Sequence, residues 1–213
     1  MAITVLKIRI LDLIRMIFLF KMNVNKLIRQ GTFPRDYRKC TLKFSLSPPL
    51  AYAMNLLAGL DEKDRILDPF CGTGTILIER QLLKPALCIG VDINPKNLDC
   101  AMQNIEAAEV EIGLKHGNIM DKKFPEEYFT KIISNLPYGL RTGSRERNIK
   151  LYRFLADEAI NWLKKGGKAV FITNAKSLLR NSFTFNPSWE LISEIPIKSG
   201  GLNLSIFIYQ KTD

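Results

Sequence analysis

The sequence of 213 residues predicts an α/β fold, with a seven-stranded, mostly parallel sheet that ends in an antiparallel C-terminal hairpin and carries helices on both faces. Two observations predict it. From residue 47 onward, apolar strand-like runs alternate with amphipathic helical segments, as in parallel sheets with helical crossovers. Two final strand-like runs are separated by Gly200 and Gly201, which predicts the hairpin. The length suits one main domain, expected over 47–213, after a short N-terminal extension over 1–46.

The predicted elements follow one another through short connections. The helices are expected over 48–60, 76–84, 95–109 and 149–164, and the strands over 65–70, 88–93, 111–115, 131–134, 169–173, 191–197 and 202–210. Prolines begin the first and third helices, where a missing N–H costs nothing. Pro85 ends the second helix, and Gly166 with Gly167 ends the fourth. The stretch 3–20 mixes strand and helix periods, so we expect a small appended element there.

The charge balance favours a polyanionic partner. Lysine and arginine number 31 against 21 acidic residues, which gives a net charge of +10 at pH 7. Nucleic acid is the obvious polyanion, although a lysine excess is also found as a solubility or thermophile feature. The apolar stretch 3–20 is interrupted by charges and leaves only 16–20 continuous, far short of the roughly 20 residues of a membrane span. No membrane association is therefore predicted.

The cysteines indicate neither a metal site nor a disulfide framework. They are Cys40, Cys71, Cys88 and Cys100, with no C-x-x-C pair among them, and His116 is the single histidine. Zinc sites need closely spaced Cys and His ligands. We therefore expect no metal, a reducing cytoplasm, and cysteines that serve as small buried apolar residues.

A glycine-rich turn and a later carboxylate point to a nucleoside cofactor. Gly72 and Gly74 follow the first strand, and the next helix begins close behind them. Asp92 ends the second strand about 20 residues later, where a carboxylate accepts both hydroxyls of a ribose. Leu77 replaces the third glycine of the dinucleotide fingerprint, and no phosphate-binding G-x-x-x-x-G-K-[ST] loop is present, which disfavours NAD and nucleoside triphosphates. A glycine turn alone is also compatible with a purely structural role.

Two motifs make the resemblance to a known family specific. The run from Asp68 to Thr75 (DPFCGTGT) resembles the first motif of class I S-adenosylmethionine-dependent methyltransferases, especially the group usually joined to THUMP RNA-binding domains. The run from Asn135 to Gly139 (NLPYG) is similar to the (N/D)-(P/L)-P-(Y/F) signature of amino-group methyltransferases, in the form of the tRNA guanine-N2 enzymes. The resemblance extends from about Tyr37 to the C-terminus and implies a Rossmann-like class I methyltransferase fold.

This resemblance implies S-adenosyl-L-methionine as cofactor and S-adenosyl-L-homocysteine as product. The implied cofactor-binding residues are Asp68, Phe70, Cys71, Gly72, Thr73, Gly74, Thr75, Asp92, Ile93, Asn118, Ile119 and Asn135. The family usually has an acidic residue for the adenine amino group where this chain has Asn118. The Asn118 amide oxygen can accept in its place, or Asp121 can substitute.

The catalytic residues that the resemblance implies are Asn135, Leu136, Pro137 and Tyr138. An exocyclic base amine is a poor nucleophile because its lone pair is delocalised into the ring. The Asn135 amide oxygen and the Leu136 carbonyl are expected to accept its two protons, which localises the lone pair. Pro137 fixes the turn, and Tyr138 stacks on the extruded base. The alternative is a plain turn in which Asn135 caps and Tyr138 packs.

Basic residues after Gly139 are expected to hold RNA phosphates. They are Arg141, Arg145, Arg147, Lys150 and Arg153. A solvated helix face explains each of them equally well. The stretch before Arg35 is too short for a THUMP domain, so RNA is expected to bind the basic surface, the N-terminal element, or an accessory RNA-binding chain.

The favoured function is methylation of guanine N2 in RNA, most of all tRNA, in the cytoplasm. The alternatives are N6-adenine methylation of RNA or DNA, which shares the logic of an amide oxygen beside a stacking ring, and a catalytically silent paralogue that binds RNA.

Overall fold

The computed structural model describes residue 28 and residues 35–43, 45–138 and 144–212, without the side chains of residues 144 and 145. The element predicted within 3–20 lies outside these residues. The helices are α1 (Pro48–Ala58), α2 (Thr75–Leu83), α3 (Pro95–Ala107), α4 (Ser144–Trp162) and α5 (Lys176–Thr184). The strands are β1 (Arg65–Asp68), β2 (Leu87–Asp92), β3 (Gly113–His116), β4 (Phe129–Asn135), β5 (Leu163–Thr173), β6 (Trp189–Ser199) and β7 (Leu202–Lys211). None of the described helices has the length and apolar character of a bilayer span.

The seven strands form one sheet in the order β3-β2-β1-β4-β5-β7-β6. Strands β1 to β5 run parallel, and β7 pairs antiparallel with both β5 and β6. This confirms the predicted sheet and its C-terminal hairpin. The strand order reverses between β1 and β4, and in parallel sheets ligands bind outside the carboxyl ends of the strands at such a point.

Two apolar cores cover the two faces of the sheet. Ile66 of β1 and Ile133 of β4 belong to the first core, together with Met54 of α1. Their chain neighbours Leu67 and Ile132 belong to the second core, which packs against α4 and α5. Successive side chains of a strand point to opposite faces. Helices therefore lie on both faces, as predicted, and the strands read as continuous apolar runs because both sides are buried.

Three elements differ clearly from the sequence-based expectation, the first being α4, which begins at Ser144 and not at 149. Helix α5 is not predicted, because it is short and its fully buried residues are only Leu179 and Phe183. Strand β5 begins at Leu163, where the preceding helix was expected to continue. Its first residues lie beside a register shift between Phe129 and Lys131 of β4, so they follow no regular strand alternation that the sequence would reveal.

The cysteines separate into two pairs. Cys71 and Cys88 are free and buried, as predicted. Cys40 and Cys100 form a disulfide, so the prediction of four apolar thiols is wrong for these two. Sixty residues separate them along the chain, and no motif marks the pair. The bond ties the segment before α1 to helix α3.

The segment 35–43 is also held by a buried carboxylate on α2. Arg35 donates from Nε and Nη2 to the two carboxylate oxygens of Glu79, at 2.6 and 2.8 Å. The Tyr37 hydroxyl donates to the same carboxylate at 2.7 Å. The Glu79 side chain is only 1% exposed. A carboxylate this deeply buried needs such charge-assisted donors, because desolvation alone would disfavour it.

We predict that Glu79→Ala lowers the free energy of unfolding by about 3 kcal/mol, because it removes the buried carboxylate that the Arg35 guanidinium and the Tyr37 phenol share. Urea denaturation followed by circular dichroism measures this. Glu106→Ala, at an exposed position of α3, is the control and should change stability by less than about 0.5 kcal/mol. Equal effects of the two substitutions would contradict the anchoring role.

Candidate functional site

A cavity of about 600 Å³ opens at the carboxyl ends of β1, β2 and β4. Most residues that the sequence analysis singled out line it, namely Asp68, Phe70, Cys71, Gly72, Thr73, Thr75, Asp92, Ile93, Asn135, Leu136, Pro137 and Tyr138. The two motifs lie 60 residues apart in sequence. They meet here because β1 and β4 are neighbours in the sheet. The cavity has the size of a small-molecule site.

The glycine turn presents backbone to this cavity. Gly72 and Gly74 have φ angles of 52° and 77°, in the left-handed region that costs other residues energy. Gly74 is the N-cap of α2, so the turn leads directly into the unpaired N–H groups of that helix. The turn thus supplies donors and a close backbone approach. Gly74 itself is not among the residues that line the cavity.

Asp92 is fixed by three neutral donors. Its carboxylate accepts from the Gly72 N–H at 3.0 Å, the Asn94 N–H at 2.8 Å and the Asn97 amide at 3.1 Å. The carboxylate keeps further lone pairs for a ligand, since each oxygen accepts more than one hydrogen bond. Asn94 and Asn97 also line the cavity, and the sequence analysis missed them. Their position in the turn and helix directly after Asp92 was the available signal.

Asp68 joins the ends of β1 and β4. Its Oδ1 atom accepts from the Ser134 hydroxyl at 2.5 Å and from the Phe70 N–H at 3.1 Å. Burial raises the pKa of Asp68 from 3.8 to about 7, and these two donors together offset only part of that rise. Near neutral pH the Asp68 side chain therefore titrates, so that both the neutral acid and the carboxylate are populated.

The end of β4 shows a contact that the sequence analysis did not predict. The Tyr138 hydroxyl donates to the Asn135 amide oxygen at 2.5 Å. Burial raises the pKa of Tyr138 to about 12, so the phenol stays neutral and keeps its proton. The Asn135 oxygen, which was expected to accept from the substrate amine, is engaged by this phenol.

Backbone groups of Leu136 and Pro137 hold the turn after Asn135 in place. The Leu136 N–H donates to the Ile172 carbonyl of β5 at 3.0 Å. The Pro137 carbonyl accepts from the Asn148 amide at 2.7 Å and from the Tyr152 hydroxyl at 2.9 Å. Asn148 also lines the cavity, and it was not predicted because the helix, which begins at Ser144, was expected to begin only at 149.

The segment before α1 forms one wall of the cavity. Its lining residues are Leu42, Lys43, Ser45 and Leu46. Thr73 of the glycine turn donates to the Ser45 hydroxyl at 3.3 Å. The Asn104 amide bridges the carbonyls of Thr73 and Cys40 at 3.1 and 3.0 Å. The sequence analysis missed this wall because it assigned the segment to an extension.

Some predicted residues are placed elsewhere. Asn118 caps a short 3₁₀ helix (Ile119–Asp121) by accepting from the Met120 N–H at 3.1 Å. Ile119 is buried in the second core. Neither Asn118 nor Ile119 is among the described residues that line the cavity.

The predicted RNA-binding residues lie on or just before α4. Arg147, Lys150 and Arg153 are exposed on the helix. Their spacing of three residues places them on one side, away from Asn148 and Tyr152. Arg141 and the side chain of Arg145 lie outside the described residues.

Comparison with known proteins agrees with the fold. A tRNA (guanine(6)-N2)-methyltransferase from Thermus thermophilus is 30% identical over 182 residues, which is 83% of this chain and 53% of that protein. A tRNA (guanine(10)-N2)-dimethyltransferase from Methanothermobacter thermautotrophicus is 35% identical over 125 residues, which is 58% of this chain and 37% of that protein. The chain thus spans about half or less of these curated relatives.

The crystal structure of TrmN from Thermus thermophilus superposes with a TM-score of 0.74 at 28% identity, covering 83% of this chain and 52% of that one. The strand order and the cavity define the class I methyltransferase fold. Residues 35–204 match the family described as UPF0020, the RMKL-like methyltransferase domain. The chain belongs to this family.

The raised pKa of Asp68 predicts a pH-dependent cost of folding. The folded state holds this proton to about pH 7 and the unfolded chain only to about pH 4, so the free energy of unfolding falls as the pH rises between them. Relative to Asp68→Asn, the wild type should lose at most about 1.4 kcal/mol per pH unit in this window.

Urea midpoints at several pH values between 4 and 8 provide the measurement. Asp121→Asn, at an exposed position, should run parallel to the wild type. A difference between the wild type and Asp68→Asn that stays constant with pH would show that the Asp68 pKa is not raised.

Proposed function

We propose that this protein transfers the methyl group of S-adenosyl-L-methionine to the exocyclic N2 amine of a guanine in tRNA. One observation carries the proposal. Asn135 and the turn behind it share a single cavity with Asp92 and the glycine turn. A nucleoside cofactor site and an amine-binding site are therefore adjacent, as direct transfer between two bound molecules requires. The names of the two curated relatives support guanine N2 and tRNA.

The residues present fit this cofactor. Asp92 has neutral donors around it and spare lone pairs, which suits the two ribose hydroxyls as donors. Asp68 lies in the same cavity, and its ionised form suits a ligand that carries an ammonium and a sulfonium group. The glycine turn, with Thr73 and Thr75, forms the floor between them. When bound, the cofactor supplies an activated methyl group.

The amine protons need two acceptors, and the turn offers a defined pair. The Pro137 carbonyl already accepts from Asn148 and Tyr152. The Asn135 amide oxygen and the Leu136 carbonyl are therefore assigned to the two N2 protons. Holding both protons would localise the nitrogen lone pair, ready to accept the methyl group that the bound cofactor would supply, with S-adenosyl-L-homocysteine as the leaving product. The methylated amine then loses one proton to a carbonyl or to water.

Tyr138 changes partner when the base arrives. In the structure the Tyr138 hydroxyl donates a hydrogen bond to the Asn135 amide oxygen. An N2 proton that binds this oxygen takes the place of the phenol, and the ring becomes available to stack on the base. Aromatic stacking contributes roughly 1 to 3 kcal/mol per base.

The RNA surface is proposed to lie on α4 beside the cavity. Arg147, Lys150 and Arg153 are exposed there, and Arg141 and Arg145 precede them along the chain. Phosphate contacts of this kind position a nucleic acid without reading its sequence.

We also propose an accessory RNA-binding chain and a cytoplasmic location for this protein. Disulfides are rare in the cytosol outside hyperthermophiles, which makes the redox state of Cys40 and Cys100 in the cell a direct check on that location.

Asn135→Ala and Asp92→Ala should separate the two halves of the site. Asn135→Ala is expected to lower kcat about 100-fold or more, with little change in cofactor affinity, because it removes an amine acceptor. Asp92→Ala is expected to weaken S-adenosyl-L-methionine binding about 10- to 100-fold, because it removes a charged acceptor.

Calorimetric titration measures the affinity, and methyl transfer followed by nucleoside mass spectrometry measures the activity and identifies the product. Equal loss of cofactor affinity in both variants would contradict these roles. N6-methyladenosine as product would favour the adenine alternative, and no cofactor binding at millimolar concentration would favour the silent paralogue.

Substitutions at Tyr138 should distinguish its ring from its hydroxyl. Tyr138→Phe keeps the stacking ring and frees the Asn135 oxygen, so kcat/KM for RNA should stay within about threefold of the wild type or rise. Tyr138→Ala should lower kcat/KM about 10- to 100-fold. Steady-state methyl transfer measures both. A Phe variant as impaired as the Ala variant would mean that the hydroxyl itself is required.

A further inference from the structure

We propose that Asn148 selects guanine at the amine site by accepting its N1–H through Oδ1. The inference rests on the proposed function and adds a specificity-determining residue to it. Asn148 lies on the first described turns of α4 and lines the same cavity as Asn135 and Tyr138. Neither motif includes it.

The orientation of the Asn148 amide is fixed by chemistry. Its Nδ2 atom lies 2.7 Å from the Pro137 carbonyl oxygen. A carbonyl only accepts hydrogen bonds, so the NH₂ end of the amide must face it. The Oδ1 end points away from that carbonyl, and no hydrogen bond within the described part of the chain engages it. The residue is only 6% exposed and lines the cavity, and we assign its Oδ1 acceptor to the cavity.

A second donor holds the Pro137 carbonyl in place, and the oxygen of that carbonyl disfavours a flipped amide. The Tyr152 hydroxyl donates to the same Pro137 carbonyl at 2.9 Å and also contacts the Thr173 hydroxyl at 2.9 Å. Tyr152 is fully buried. A flipped amide would direct Oδ1 at the Pro137 oxygen and leave two acceptors facing each other, which is costly in a buried site. Asn148 therefore keeps the Oδ1 acceptor for the cavity, while Nδ2 holds the Pro137 carbonyl.

The atom beside the amine distinguishes guanine from the other amino bases. In guanine, the N2 amine is adjacent to N1–H, which is a donor. In adenine and cytosine, the ring nitrogen beside the amine carries a lone pair. An acceptor in the same cavity as the amine-binding Asn135 and Leu136 therefore gains a hydrogen bond with guanine and faces a second lone pair with adenine. A site built to bind a donor rejects analogues that lack it more strongly than a purely apolar pocket does.

The test uses tRNA transcripts with guanine at position 6 or 10, the positions named for the two relatives, and the same transcripts with 2-aminopurine there. 2-Aminopurine keeps the 2-amine but has a lone pair at N1, and it also lacks the 6-oxygen. The wild type should prefer guanine in kcat/KM, and Asn148→Ala should lower this guanine-to-2-aminopurine ratio about tenfold. The change in the ratio isolates the contact with Asn148, because the missing 6-oxygen affects both enzymes alike.

Tyr152→Phe is the matched control, since it removes the other donor to the Pro137 carbonyl. It should lower kcat and leave the ratio at the wild-type value. If Asn148→Ala lowers transfer to both transcripts equally, Asn148 acts only through the turn and the inference is overturned. If Asn148→Ala fails to bind S-adenosyl-L-methionine, Asn148→Ser gives the same comparison.

The wild type alone supplies a further criterion: equal kcat/KM for guanine and 2-aminopurine overturns the inference while the proposed function stands. Absence of transfer to every guanine transcript, by contrast, overturns the proposed function itself.

Discussion

The hydrogen bond between Asp68 and Ser134 holds together the two halves of the site. The first residue ends β1 and the second is the penultimate residue of β4, and their neighbours along the chain are the glycine turn and Asn135. Side chains alternate between the faces of a strand, so a one-residue slip of β4 against β1 would move Asn135 to the other face. The buried contact thus fixes the register on which the shared cavity depends. Its cost is a carboxyl group removed from water, with a pKa raised to about 7.

Helix α4 contributes to the cavity with its inner face and to the exposed basic surface with its outer face. Its inner face carries Asn148 and Tyr152 against the Pro137 carbonyl. Its outer face carries Arg147 and Lys150 into solvent. A substrate phosphate bound outside and a base bound inside would therefore contact one rigid element. Such an arrangement would couple the placement of the nucleotide to the geometry of the turn.

The sequence predicts what local pattern determines and misses what only the fold brings together. The buried strands can be predicted from the sequence because both their faces are apolar. Asp92 can be predicted because its distance from the glycine turn follows from one β-α-β unit. Nothing local marks Cys40 and Cys100, which lie sixty residues apart and meet only through the packing of the segment before α1 on α3. Asn148 was not predicted as a site residue for a similar reason, since its proposed role depends on the Pro137 carbonyl, eleven residues earlier.

The contact between Tyr138 and Asn135 explains how such a cavity stays folded without its substrate. An amide oxygen in a largely apolar cavity needs a donor, and the neighbouring phenol provides one at 2.5 Å. A base amine that replaces the phenol exchanges one hydrogen bond for another, so the exchange itself costs little. Under the proposed function, the net gain on binding would come from the stacking face of the Tyr138 ring and from Asn148 Oδ1, which accepts no hydrogen bond among the described residues. Selectivity for the base would then depend on these two groups, while the atoms that are already paired keep the turn rigid.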